Sequence, residues 1–158
     1  HGHHRRQRQM CIRDSIIDYA HSPKALEIVL KSIRSFSSGN IICIFGCGGE
    51  RDKGKRPKMG RIAEKFSNKL IITNDNPRLE DPNKIKEDII KGISKVSKTH
   101  FIPDRKEAIQ FGLKLLKKSK KGSTLLIAGK GHENYQEMKD KRIYFSDKNA
   151  IEEIINVS

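Results

Sequence analysis

The sequence predicts an α/β fold: a Rossmann-like, doubly wound, mostly parallel sheet of about six strands with helices on both faces. Three observations carry that expectation. From Ile16 onward, short apolar runs alternate with amphipathic stretches, the rhythm of parallel strands joined by right-handed helical crossovers. The runs IICIF (41–45) and TLLIA (124–128) are almost wholly apolar, as strands covered by helices on both sides must be. A chain of 158 residues, 35% of them hydrophobic, has room for one such core and hardly for two.

The elements follow in order. Strands are expected at Ile16–Ala20, Ile41–Gly46, Leu70–Thr73, His100–Ile102, Thr124–Ala128 and Arg142–Phe145, each a short apolar run. Helices are expected at about 23–36, 57–67, 83–95, 104–119 and 147–157. In the first, Ala25, Leu26, Val29, Leu30 and Ile33 recur at helical spacing and mark one apolar face. Pro23 and Pro57 fall near a first helical turn, where a missing N–H costs nothing. Asp104 with Glu107 three residues later has capping-box spacing, and Gly122, just before a strand, suits a helix C-cap.

Composition narrows the function classes. Thirty-three Lys and Arg against 19 Asp and Glu give a net charge of +14, an electrostatic footprint that nucleic-acid-binding proteins share. The lysines, however, are scattered along the whole chain, and no aromatic residues interleave with them as stacking platforms. A solvated basic surface that tolerates anionic substrates is expected, with neither nucleic acid nor membrane as a partner. No apolar run approaches the roughly 18 residues of a transmembrane helix. The opening HGHHRRQRQM lacks the apolar stretch of a secretory signal. Three cysteines are too few for a disulfide scaffold, and the spacing of Cys43 and Cys47 matches no common zinc or redox motif. A cytoplasmic domain without a metal site of its own is the expectation.

Residues 1–15, HGHHRRQRQMCIRDS, show neither helical nor strand periodicity and hold three of the six histidines. They are expected to be a non-native or disordered leader, either a His-rich tag or translated adaptor read-through, with residues 16–158 forming the domain. A basic arm or a metal-binding His cluster is the functional alternative. Four Arg and one Asp give this stretch +3 of the total +14.

In a doubly wound sheet, ligands bind beyond the carboxyl ends of the strands. The loops there are DYAHSP, FGCGGERDKGKRP, TNDNPR, PDR, AGKGHE and SDK. Gly46, Gly48 and Gly49 suggest a phosphate-cradling turn, but Arg51 stands where the third glycine of G-x-G-x-x-G belongs. Residues 49–56 fit G-x-x-x-x-G-K yet end in Arg56, where a P-loop needs Ser or Thr to coordinate magnesium. In Asp75-Asn76-Pro77-Arg78, Pro77 fixes its own φ and biases Asn76 to an extended shape. Arg78 can grip a carboxylate with two hydrogen bonds, and Asn76 can supply an amide donor or acceptor; a plain turn with a surface arginine is the alternative. In Gly129-Lys130-Gly131-His132-Glu133 the glycines admit a ligand close to the backbone, and Glu133 can accept from an ammonium group. His132 taken alone reads as structural.

Together, Arg51 and Arg78 suit carboxylates while Asp75 and Glu133 suit amino groups. That set fits a zwitterionic amino acid with more than two charged ends. No nucleophile elbow, thiol–His pair or metal cluster is evident, so the chemistry would lie in positioning and electrostatics.

The motifs DYAHSP, FGCGGERDKGKRPKMGRIA, TNDNPRLEDP, PDRKEAI, AGKGHENYQ and FSD follow one another from about Ile16 to the C-terminus, with 24 residues from Arg51 to Asp75. In this order and spacing they resemble the C-terminal domain of the Mur ligases, of the type that adds meso-diaminopimelate in bacterial peptidoglycan synthesis. In that family, the resemblance implies, ATP phosphorylates the D-glutamate γ-carboxylate of UDP-MurNAc-L-Ala-D-Glu. The amine of the incoming amino acid then attacks the acyl phosphate, and the amide forms as phosphate leaves. By resemblance, Arg51, Asp75, Asn76, Pro77, Arg78, Gly129 and Glu133 hold meso-diaminopimelate, with Arg78 on the distal carboxylate that lysine lacks. Asp18 and His21 would face the nucleotide, and Lys53 or Arg56 would help neutralise phosphates. Ser22, Lys24 and Glu50 depart from the residues the family more often carries, and the longer Glu50 would shift a nucleotide-side contact. Nothing matches the family's UDP-sugar domain or its central ATPase domain. The implied ATP and Mg²⁺ would be bound mainly by that central domain, and this chain alone is expected neither to hydrolyse ATP nor to ligate. The competing readings are a stand-alone amino-acid or nucleotide binding module and a basic nucleic-acid-binding protein.

Overall fold

The computed structural model describes residues 9–12, 14–49, 52–131, 133–138 and 141–157. Alternation along the central strands decides its layers. On β3 (Ile41–Phe45), Ile41, Cys43 and Phe45 face one side and Ile42 and Ile44 the other, all fully buried. On β6 (Thr124–Ala128), Leu126 and Ala128 join the first side, Leu125 and Ile127 the second. The first side packs on α1 (Pro23–Phe36), α2 (Lys55–Phe66) and α3 (Pro82–Ile90) through residues such as Leu26, Met59 and Ile89. The second packs on α4 (Arg105–Lys118) and α5 (Asp147–Val157) through Ile109 and Ile151. Each such side chain contributes roughly 1.5–3 kcal/mol when buried, so the apolar strands are what bind both helical layers to the sheet.

The sheet has six strands in the order β1 (Gln9–Ile12), β2 (Ser15–Asp18), β6, β3, β4 (Lys69–Ile72) and β5 (Thr99–Phe101). All pair in parallel except the antiparallel edge strand β1. This is the doubly wound, mostly parallel arrangement the sequence predicts.

Four details correct the sequence reading. First, Gln9–Ile12 lies within the stretch set aside as a leader, yet it forms β1, in register from Gln9 opposite Asp18 to Ile12 opposite Ser15. An edge strand pairs through its backbone and needs no apolar alternation, which is why periodicity missed it. Residues 1–8, with the early histidines, lie outside the described residues. Second, the strand expected at Arg142–Phe145 is β8 (Lys141–Tyr144), an exposed strand which pairs with β7 (Tyr135–Met138) in a separate hairpin and does not join the main sheet. Third, α3 stops at Ile90, short of 95, because the chain turns sharply at Gly92, where a Cβ would lie 1.8 Å from the Pro57 carbonyl oxygen. A 3-10 turn at Val96–Lys98 then leads into β5. Fourth, α4 is capped at its end by Ser119, so Gly122, with φ +90°, serves the turn into β6 and not the helix terminus. The expected N-cap holds: Asp104 Oδ1 accepts from the Glu107 N–H at 3.0 Å.

The winding direction changes between β3 and β6. From β3 the chain enters α2 on one face; from β6 it continues through the hairpin to α5 on the other. The loops leaving these neighbouring strands therefore part over the carboxyl edge of the sheet and open a crevice.

Candidate functional site

At that crevice lies a cleft of about 450 Å³. Its walls come from the loops after β2 (Tyr19, His21), β3 (Gly46–Gly48), β4 (Asp75, Asn76, Arg78) and β6 (Gly129, Glu133), with Asp52, Lys55 and Tyr135. The β3 and β4 loops are laced together: the Gly49 N–H donates to the Asn76 carbonyl at 2.7 Å, and a Cβ on Gly49 would stand 1.8 Å from the Pro77 oxygen.

The acidic side is built around Asp75, which is only 8% exposed and whose Oδ1 accepts no hydrogen bond among the described residues. Its Oδ2 lies 3.0 Å from where a Cβ on Gly129 would be, and Gly129 has φ +119°. Glycine there gives the carboxylate its room and the backbone its left-handed turn. Lys130, fully buried, stands behind both acids, 3.9 Å from Asp75 Oδ1 and 3.7 Å from Glu133 Oε1. Burial pushes the lysine below its ordinary pKa, while Asp75 opposes that shift. Burial, and after it the Glu133 carboxylate, hold the Tyr19 phenol above its ordinary value.

The donor side is Asn76 and Arg78. Asn76 Oδ1 accepts from the Glu137 N–H at 2.9 Å and from Lys130 Nζ at 3.3 Å. Arg78 has φ +56°, an uncommon conformation for a residue with a side chain, and its N–H is anchored to the Glu137 carbonyl at 2.9 Å. Its guanidinium donates to the Gly49 and Asn76 carbonyls at 2.9 and 3.3 Å and pairs with Glu137 at 3.3 Å. The strained backbone and this set of anchors hold the arginine head over the cleft.

The structure thus brings Asp75, Asn76, Arg78, Gly129 and Glu133 together, with Pro77 against Gly49 behind them. Arg51 lies outside the described residues, as do Glu50 and His132. Of the residues expected to face a nucleotide, His21 lines the cleft; its Nδ1 is 2.8 Å from the Tyr19 carbonyl, so that nitrogen carries the proton. Asp18 is buried, with Oδ1 accepting from the Ala20 N–H at 2.9 Å and Oδ2 without a hydrogen bond among the described residues. Lys53 is exposed and 3.9 Å from Glu80.

Arg56 is not where a phosphate would meet it. Its side chain is fully buried, donating to Glu80 Oε2 and Oε1 at 2.8 Å each, to Asp88 at 2.9 Å and to the Gly48 carbonyl at 3.0 Å. The Glu80 hydrogen bonds hold its pKa above arginine's usual value. Arg56 is a clamp that ties α2 to the loops after β3 and β4.

Several contributors escaped the sequence reading. Lys130 and Lys55 sit in the motifs that were singled out, yet a lysine in a lysine-rich chain carries no distinguishing signal. Lys55 Nζ donates to the His21 carbonyl at 2.9 Å at the cleft wall. Buried Gln136 donates to the Asp75 carbonyl at 2.7 Å. Arg105 and Asp147, from the PDR and FSD motifs, form a buried pair beneath the β4 and β6 loops.

The assembly can hold a ligand bearing both carboxylate and ammonium groups, but among the described residues it holds no activated nucleophile. Burial pushes the Cys47 thiol up to about 12, so it stays neutral. Among the described residues no group of three or more His, Cys, Asp or Glu is placed to hold a metal, and no helix is long and apolar enough to cross a membrane. With Arg56 buried at the place of the P-loop hydroxyl, this loop does not fit a P-loop.

The sequence model of the family described as Mur ligase, glutamate ligase domain, matches residues 5–131, a span that takes in β1. The UDP-N-acetylmuramoyl-L-alanyl-D-glutamate–2,6-diaminopimelate ligase of Prochlorococcus marinus (strain NATL1A) is 52% identical over 133 residues, which cover 84% of this chain and 26% of that protein. The ligase of the same name from Aquifex aeolicus (strain VF5) is 49% identical over 140 residues, 89% of this chain and 28% of that protein. A solved structure of a UDP-N-acetylmuramoyl-L-alanyl-D-glutamate–2,6-diaminopimelate ligase superposes with a TM-score of 0.87 at 42% identity, over 95% of this chain and 31% of its own. A folylpolyglutamate synthase from Mycobacterium tuberculosis, solved with ADP and AMPPCP, shares the fold alone, with a TM-score of 0.59 at 14% identity over 79% of this chain and 29% of its own. The chain therefore spans roughly a quarter to a third of the length of these proteins.

Proposed function

Because the chain belongs to the Mur ligase family through its glutamate ligase domain, we propose that its cleft binds meso-diaminopimelate for an ATP-dependent, amide-forming ligase of cytoplasmic peptidoglycan synthesis. In this reading the chain is the C-terminal amino-acid-binding part of a longer enzyme, whose other domains bind UDP-MurNAc-L-Ala-D-Glu, ATP and Mg²⁺. The observation that carries it is the meeting in one cleft of two carboxylates, Asp75 and Glu133, and two donors, Asn76 and Arg78, with Glu133 from the β6 loop and the other three from the β4 loop. An amino acid with an ammonium group at each end and a carboxylate beside each uses both kinds of group. Lysine leaves a donor without its partner, and sites built to hydrogen-bond a ligand group reject the analogue that lacks it.

The role of this domain is to orient. Its acids hold the ammonium groups, its donors hold a carboxylate, and an amine is presented, once deprotonated, to an acyl phosphate formed on another domain. Amide formation then expels phosphate. Arg51, Asp18, His21 and Lys53 belong to this proposal as ligand-side and nucleotide-side contacts, with Lys55 added and Arg56 withdrawn to a structural part. Titration of ¹⁵N-labelled chain with meso-diaminopimelate, lysine and ATP in separate series tests it. Shifts centred on Asp75, Asn76, Gly129 and Glu133 with meso-diaminopimelate, and weaker ones with lysine, are expected. Shifts scattered over the surface, or none with meso-diaminopimelate, would refute it.

A further inference from the structure

The Asn76 carboxamide has two chemically different ends, and which end faces the cleft decides what it can recognise. Its neighbours settle the orientation. The Glu137 backbone N–H, 2.9 Å from Oδ1, can only donate. The Lys130 ammonium, 3.3 Å from Oδ1, can only donate as well. Both therefore require the oxygen, and the Nδ2 donors, which have no partner among the described residues, are left on the cleft side of a residue that lines it. A sequence reading leaves Asn76 as donor or acceptor; the two donors behind it remove the choice.

Lys130 works entirely from inside the fold. Its side chain has no exposure, so it cannot reach solvent or a phosphate. Its ammonium donates to the Tyr135 carbonyl and lies over the Tyr135 ring at 5.5 Å. It also stands 3.9 Å from Asp75 and 3.7 Å from Glu133, offsetting the repulsion of two carboxylates that share one wall. One buried cation thus touches residues of the β4 loop, the β6 loop and β7.

We propose that Lys130 is the positioning residue that locks Asn76 with its amide nitrogen toward the cleft, where the proposed function has Asn76 meet a ligand carboxylate. The consequence for ligand choice rests on the proposed function; the orientation of Asn76 does not.

The test has two arms on the labelled chain. Without ligand, scalar coupling across the hydrogen bond from the Glu137 ¹⁵N to the Asn76 side-chain carbonyl carbon reports the orientation. It is expected in the wild type and is expected to weaken in Lys130→Met. Its absence from the wild type, or an unchanged value in Lys130→Met, overturns the role of Lys130 whatever the ligand is. With ligand, Asn76→Asp keeps oxygen acceptors toward Glu137 and Lys130 but replaces the cleft-facing donor, so it needs no repacking. It is expected to weaken meso-diaminopimelate binding by about tenfold or more and lysine binding much less, as loss of a hydrogen bond to a charged group implies. Undiminished meso-diaminopimelate binding by Asn76→Asp overturns the contact of Asn76 with the carboxylate. If the wild type shows the coupling but binds neither amino acid, the lock stands while the proposed function and that contact both fail.

Discussion

Arg105 and Asp147 meet through two hydrogen bonds, Nε to Oδ1 at 2.7 Å and Nη2 to Oδ2 at 2.9 Å, with neither side chain exposed. They join the first residues of α4 and α5, and the same guanidinium donates to the Asn74 and Ala128 carbonyls at 3.0 and 3.4 Å. Those carbonyls immediately precede Asp75 and Gly129, so one buried ion pair fixes where both cleft loops begin. Removing one partner strands the other charge in the interior, at a cost of about 3–5 kcal/mol. Asp147→Ala should lower the urea-unfolding free energy by that amount. A loss within experimental error would mean that Arg105 finds another partner or water.

Gly129→Ala should damage both fold and cleft. The new methyl would meet Asp75 Oδ2 at 3.0 Å on a backbone at φ +119°, which residues other than glycine rarely adopt. A loss of about 1–3 kcal/mol in thermal or urea unfolding is expected, of the order of backbone strain. Binding of meso-diaminopimelate should weaken as the Asp75 carboxylate is displaced. Unchanged stability and binding together would show that the loop can move aside freely.

The buried lysine predicts a pH dependence of definite sign. Burial lowers the Lys130 pKa below the usual 10.5, so the folded chain gives up this proton first as pH rises. Between the lowered value and 10.5 the unfolded chain binds more protons, and stability from this group rises with pH. The stability of the wild type relative to Lys130→Met should therefore increase through the alkaline range up to about that pH. A flat or falling difference would contradict the burial of a charged lysine.

The thiols should separate cleanly. Cys11 is exposed, whereas burial raises Cys43 and Cys47 from 9.0 to about 12. Alkylation of the native chain near neutral pH should label Cys11 alone, and the other two only on unfolding. Above about pH 9.0 the unfolded chain ionises these thiols first, so their contribution to stability is lost as pH rises toward 12. Rapid native labelling of Cys47 would show that the cleft floor opens.

Much of this molecule is legible in its sequence where one residue's environment follows from its own neighbours in the chain. The apolar runs of β3 and β6 announce burial on both faces, the spacing of Leu26, Val29, Leu30 and Ile33 announces α1, and Asp104 announces the start of α4. The glycines and acids after β4 and β6 mark a cleft because the strand order puts those loops together. Partnerships at long range are not legible in this way. Arg56 looks like any cation of a basic loop until Glu80 and Asp88 close on it from 24 and 32 residues away. Nothing local says that Arg105 will meet Asp147, or that Lys130, alone among the described lysines, is buried. Edge strand β1 and the β7–β8 hairpin are held by backbone pairing, which leaves little mark on side-chain pattern.

The central claim, that this cleft recognises an amino acid by a second carboxylate, is tested most directly by dissociation constants of wild-type and Arg78→Ala chain for meso-diaminopimelate and for lysine. The wild type should prefer meso-diaminopimelate. Arg78→Ala should weaken that ligand by about tenfold or more, the scale of a hydrogen bond to a charged group, and leave lysine nearly unchanged. No preference in the wild type, or an equal loss for both amino acids, would contradict the account.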